Sequence, residues 1–188
     1  MKQFRLALLL CLATAISSCD SFIDIRPTGK VIAETGEEYR ALLTSEYKNF
    51  PEDRGLVSFR SDEMTLDESA TTSEDLSSFF DIWVWNDLKP APTTVSLGWR
   101  RYYHTIYIAN TIIANRDNMT QISTADRRQL VGEAYMMRAY CHFLLANLYA
   151  QPYTTVKADT ARAVPLMLVA DVNLVPKSKS LAAVYEQV

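Results

Sequence analysis

Cysteine, histidine and glycine are all scarce in this chain. Of 188 residues, three are Cys, two are His and five are Gly. So few glycines argue against a fold rich in strands and tight turns, and against a glycine-rich phosphate loop. Two histidines, His104 and His142, are too few for a zinc site, so no metal is expected. Basic residues are in the minority, and the formal charge is −3. Nucleic-acid binders need basic patches, so that class of partner is excluded, as is electrostatic attraction to an anionic membrane. No nucleophile elbow, metal cluster or paired-carboxylate motif is visible. The sequence therefore predicts no catalytic residues, no enzyme and no dissociable cofactor.

What is present begins with a processing signal. Lys2 and Arg5 precede an apolar run from Leu6 to Ile16, and small residues follow. That is the layout of a secretory signal, and the run is shorter than the roughly 20 apolar residues a membrane span needs. Ile16-Ser17-Ser18-Cys19 resembles a bacterial lipobox, in which cleavage precedes a Cys whose sulfur carries a diacylglycerol. The expected organisation is a signal peptide over 1–18, a tether after the lipidated Cys19 over 19–36, and a helical domain over 37–188. Cleavage removes Lys2 and Arg5 and takes the formal charge from −3 to −5. Cys11 leaves with the signal and Cys19 is acylated, so Cys141 remains as a lone thiol in an apolar stretch, where it reads as a small buried hydrophobe. Cys141 and His142 are helix neighbours about 100° apart, which is the wrong geometry for a nucleophile and its base.

Helical periodicity starts after the tether, where Pro27 and Gly29 break any helix. Thr35 can cap, Glu37 and Glu38 suit the helix N-terminus, and Tyr39, Leu42 and Leu43 form an apolar side. Residues 51–98 read as a long polar and aromatic connection. Within it Asp81, Trp83 and Trp85 alternate with Ile82, Val84 and Asn86, as in a short strand or extended loop. Over 96–117 Trp99, Tyr103, Ile106, Asn110 and Ile113 recur at helical spacing, which places Trp99 in the core. A second long helix is expected over 123–150, with Ser123 as cap and Asp126 three residues on. Its stripe is Leu130, Ala134, Met137, Cys141, Leu144 and Leu148. A second stripe, Val131, Tyr135, Arg138, His142, Leu145 and Tyr149, lies beside it, and Pro152 ends the pattern. Two such helices joined by a short loop form an antiparallel hairpin. A buried segment over AVPLML and a helix capped by Ser180 follow. Leu181, Val184, Tyr185 and Val188 then begin an apolar face with no partner after it, so the sequence reads as cut short.

Four motifs in order carry a family resemblance. They are the acylated Cys19 followed by DSFIDIRPTG; Trp99, Tyr103, Ile106 and Asn110 in WRRYYHTIYIAN; Glu133, Ala134, Arg138 and Ala139 followed by Leu148 and Tyr149; and Val184-Tyr185 in the last helix. The chain resembles the N-terminal part of the SusD/RagB family of nutrient-uptake lipoproteins of Bacteroidota. Family members usually have Gly where this chain has Ala150, and they run several hundred residues. The resemblance implies a mainly α fold of TPR-like antiparallel helical hairpins with long irregular connections. It implies a lipid-anchored, surface-exposed protein of the outer membrane that binds an oligosaccharide or other polymeric nutrient and works with a SusC-like TonB-dependent transporter. The alternative function is a helical scaffold lipoprotein with protein partners only. Trp83 and Trp85, with Asp81 and Asn86, have the chemistry of a sugar site; filling the gap under the loop is the commoner fate of such residues, and both readings stand. Glu133 and Arg138, five apart, read as a structural pair in which each reaches a different neighbour, rather than as a catalytic acid and its partner.

Overall fold

The computed structural model describes residues 33–188, apart from 52, 68, 96 and 97. The signal, Cys19 and most of the tether lie outside the described residues.

The first helix, α1, spans Gly36–Lys48. Thr35 caps it as expected: its side chain accepts from the Glu38 N–H, and the Glu38 carboxylate accepts from the Thr35 N–H. The start of α1 is fixed to a distant turn. Gly36 N–H donates to Thr120 O, and Thr120 N–H donates to Glu34 O, both at 2.9 Å. A side chain at Gly36 would lie 2.5 Å from Cβ of Ile122, so glycine is what lets the two segments meet.

Two long helices form the body. α4 spans Arg100–Ala114 and α5 spans Thr124–Tyr149. Between α1 and α4 lie two shorter helices, α2 over Asp53–Val57 and α3 over Ser73–Trp83, with a 3-10 turn over Ser58–Arg60. At 1.5 Å per residue α5 is about 39 Å long. The expected hairpin is present and antiparallel: Asn110 meets Arg138, Tyr103 meets His142, and Trp99 meets Tyr149, so one index rises as the other falls. Leu130, Ala134, Met137, Cys141 and Leu144 are all buried, as the periodicity predicts, and α4 sets Tyr102, Ile106, Ala109 and Ile113 against them. α1 closes this layer with Tyr39 and Leu43. It also brings Glu46, whose carboxylate accepts from the Thr105 hydroxyl at 2.6 Å. The fold is mainly helical, in keeping with the expected class.

After α5 the backbone turns at Tyr153–Thr155 and enters β1, Arg162–Pro165. β1 pairs antiparallel with β2, Ser178–Ser180, with Arg162 opposite Ser180 and Pro165 opposite Ser178. Ser180 then caps α6, Leu181–Gln187, by accepting from the Ala183 N–H. Of AVPLML, the expected buried segment, Ala163, Val164 and Pro165 are buried, Leu166 and Met167 are half-buried and Leu168 is exposed.

Four expectations need correction. Asp81, Ile82 and Trp83 form no strand; they are the last turn of α3. Alternation over six residues is too short a window. Over eleven residues Leu76, Phe80 and Trp83 follow the helical period, and Thr72 with Asp75 makes a full capping box. The stretch 51–98 is therefore partly helical rather than one long connection. Trp99 is 45% exposed, because the helix starts at Arg100 and Trp99 is its cap residue, outside the buried stripe. Finally, α6 is not unpartnered: Leu181 and Val184 are buried within the chain, and Tyr185 packs on Phe143 and Tyr153, while Val188 is exposed.

Candidate functional site

The polar residues of the two long helices converge on one target, the segment Pro165–Val169 that leaves β1. The Tyr103 hydroxyl donates to Pro165 O at 2.7 Å. The Asn110 amide donates to Met167 O at 3.0 Å and to Val169 O at 3.3 Å. Arg138 donates to the Asn110 side-chain oxygen at 2.9 Å and to Leu168 O at 3.4 Å. Nε2 of His142 accepts the Met167 N–H at 3.1 Å, so its proton is on Nδ1, which donates to Arg138 O at 2.9 Å. Irregular backbone laid against a helix pair needs partners for its peptide groups, and these four side chains supply them. Burial, with the Arg138 charge behind it, holds His142 below the ordinary imidazole range, and burial raises the Tyr103 phenol. This is a clasp, and its chemistry is structural. Burial, reinforced by Glu46, pushes the Cys141 thiol up to about 12, which leaves it inert at neutral pH.

Glu133 faces elsewhere. Its carboxylate takes the Arg40 guanidinium, the Tyr47 hydroxyl at 3.1 Å and the Gln129 amide at 3.0 Å. The bond from Arg40 is the main reason its pKa is lowered. Glu133 ties α5 to α1, while Arg138 ties α5 to α4 and to the strap formed by Pro165–Val169. The two residues reach different neighbours and form no acid–base pair.

The residues nominated for sugar binding are split among three cavities, with Trp83 on one, Trp85 on a second and Asp81 with Asn86 on a third. Trp83 lines a cavity of about 290 Å³ with Phe59, Met64, Leu76, Phe79 and Phe80. Phe59 and Phe79 stack there at 5.1 Å, so this is largely a hydrophobic cluster under the loop. Asp81 and Asn86 are turned inward. The Asp81 carboxylate accepts from Ala91 N–H at 2.6 Å, the Asn86 amide at 2.8 Å and the Thr94 hydroxyl at 2.7 Å. These bonds lower its pKa, the Ala91 peptide most, and they close the loop that follows α3.

Trp85 is different. It is 62% exposed and sits at φ 59°, the left-handed region a bulky residue rarely adopts. Local bonds hold it there: its N–H donates to Ile82 O at 3.2 Å, and its C=O accepts from Asp87 N–H at 3.0 Å. The Arg60 guanidinium lies 4.9 Å from the indole centroid and also pairs through two nitrogens with the Asp87 carboxylate. With Val57, Ser61, Leu148 and Tyr149 these residues line a half-open cavity of about 480 Å³, within the range of ligand sites. Tyr149 reaches it from the end of α5, where it also packs on Trp99 at 5.6 Å. An aromatic platform with an ion pair at its edge suits a sugar ring, which offers a C–H face and a rim of hydroxyls. Sequence reasoning missed Arg60 and Asp87. The signal was thin: Arg60 is the one cation between Gly55 and Leu88. Among the described residues no group of three or more His, Cys, Asp or Glu could hold a metal ion. Nor is any helix there long and apolar enough to cross a membrane.

Residues 29–188 match a SusD-like family model described as starch-binding associating with outer membrane. The chain belongs to the SusD-like family. A SusD-like protein of Formosa agariphila is 25% identical over 151 residues, which is 76% of this chain and 29% of that protein. A solved SusD superfamily protein from Bacteroides thetaiotaomicron superposes with a TM-score of 0.62 at 20% identity, covering 81% of this chain and 35% of the other. At that identity the likeness speaks for the fold. The chain spans about a third of the length of these relatives, 29% of one and 35% of the other. The clasp residues Tyr103, Asn110 and Arg138 are thus the ones through which the sequence resembled this family, and in the structure they hold a strap.

Proposed function

We propose that this SusD-like chain is a glycan-binding lipoprotein of the outer membrane, anchored through a lipid on Cys19 and acting with a SusC-like TonB-dependent transporter. The family match over 29–188, with its starch-binding and outer-membrane description, carries the reading. The Trp85 shelf supports it by offering an exposed aromatic face, a cavity and hydroxyl partners in one place. Trp85 is the platform in this reading, and Trp83, Asp81 and Asn86 build the loop that presents it.

A transporter partner finds support elsewhere on the surface. The strap continues into a run where Val169, Val172, Leu174 and Val175 are exposed, next to Leu168. Contiguous exposed apolar residues mark contact surfaces, and here the clasp holds the start of the run in a fixed position. No catalysis is assigned.

Affinity electrophoresis of the chain against a panel of soluble polysaccharides, amylopectin among them, tests the binding role. At least one polysaccharide is expected to retard it. No retardation across the panel refutes glycan binding by this chain.

A further inference from the structure

We infer that the Trp85 shelf selects uncharged glycans and excludes anionic ones. The inference deepens the glycan-binding reading above and rests on it.

Three observations lead there. The first is the state of Arg60, the one cation lining the shelf. It is already engaged twice, in the two-pronged pair with Asp87 and in the stack on Trp85. A uronate or sulfate would have to compete with Asp87 for the same guanidinium face. The second is what remains open once that pair is made. The Asp87 side chain is 64% exposed, so its outer lone pairs accept hydrogen bonds from hydroxyls and repel anions. The third is the formal charge of the sequence segment that carries Trp85. From Ser61 to Val95 there are eight carboxylates against one lysine, Lys89. That segment carries seven net negative charges; without Lys2 and Arg5 the chain totals −5, so the rest of it is net positive by two. Asp81 and Asp87 share with Arg60 the wall of an adjoining cavity. Hydrogen bonds keep Asp81 ionised at neutral pH, as they do Asp67 and Asp75 beside the Trp83 cluster. Charges within a Debye length, about 8 Å at physiological salt, act together. At the shelf itself a polyanion meets the exposed Asp87 carboxylate, and the one cation lining it, Arg60, is already paired. A neutral sugar meets a ring face, a carboxylate and a hydroxyl.

Biolayer interferometry with immobilised polysaccharides tests this on the full chain. The neutral set is amylopectin, laminarin, xyloglucan and galactomannan. The anionic set is polygalacturonate, alginate and κ-carrageenan. The expected result is binding to at least one neutral polymer, at least about tenfold tighter than to any anionic one in low salt. That binding falls by about tenfold or more in Trp85→Ala and is largely kept in Trp85→Phe, with the thermal melt unchanged because the side chain is exposed. Tighter binding to an anionic polymer overturns the charge selection and leaves the glycan reading intact. Neutral binding that Trp85→Ala does not weaken overturns the shelf as its site. Binding to neither set overturns the glycan reading, and this inference falls with it.

Discussion

Acid should loosen this protein through one imidazole. His142 is buried and makes two hydrogen bonds of opposite sense: Nδ1–H donates to Arg138 O, and Nε2 accepts the Met167 N–H. Protonating Nε2 turns two donors toward each other and places a second positive charge beside Arg138. The Tyr103 ring covers the imidazole from α4 and brings no compensating charge. Burial first, and Arg138 after it, lower the His142 pKa below its unfolded value of about 6.5. Between the two values the unfolded chain binds one proton more than the folded one. Stability is therefore complete above pH 6.5 and falls as pH drops toward the folded pKa, by up to about 1.4 kcal/mol per pH unit. Urea denaturation followed by far-UV dichroism at pH 7.5, 6.5, 6.0 and 5.5 reads this slope. His142→Gln keeps an amide in place of the ring and cannot titrate, so its slope over the same range should be shallower by that amount. Equal slopes in the two proteins, or stability rising on acidification, would refute the argument that neutral His142 holds the strap.

Two glycines should respond to alanine with opposite signs. Gly132 lies in the exposed middle of α5 with nothing within 4 Å of an added Cβ, so Gly132→Ala should stabilise by about 0.5–1 kcal/mol in the same denaturation assay; Gly36→Ala meets Ile122 and should destabilise. Met137→Asp and Leu144→Asp each bury an unpaired carboxylate between α4 and α5, and a loss of more than about 3 kcal/mol is expected; a loss under about 1 kcal/mol would place both side chains in solvent. Mass spectrometry of the membrane fraction should find a mature chain that begins at Cys19 and carries acyl mass, and an unacylated mature chain would exclude the lipid anchor.

The long elements were legible because their signals are local and repeated. Thr35, Ser123 and Ser180 all cap the helices expected of them, and the stripe from Leu130 to Leu144 faces the core. Trp99 shows the limit of spacing. It continues the arithmetic of Tyr103 and Ile106, yet the helix has not begun there, so its ring stays half out and packs on Tyr149 instead of in the core. Helix α3 was missed because a short amphipathic helix and a short strand look alike over six residues. The clasp was invisible for another reason. Asn110 and Met167 are 57 residues apart and His142 and Met167 are 25 apart, and no periodicity reports a contact at that range. Arg60 and Asp87 meet across 27 residues through two turns whose path the sequence does not dictate by pattern alone.

In the proposed reading, that division also separates what marks the family from what holds the ligand. Tyr103, Asn110 and Arg138 carry the family likeness, and each donates at least one hydrogen bond to the strap. Their replacement should lower stability first, and any effect on binding should follow from loss of the folded state. Trp85 has the opposite profile. It is exposed, strained into the left-handed region and held by backbone bonds and one cation, so its removal takes little from the core. Strain kept at an exposed aromatic is consistent with the proposed role of Trp85 as a presented side chain. Change in ligand preference among similar chains should therefore concentrate between Ser61 and Val95, where the charges and Trp85 lie. The helix pair, with its buried stripe and clasp, sets only where that loop stands.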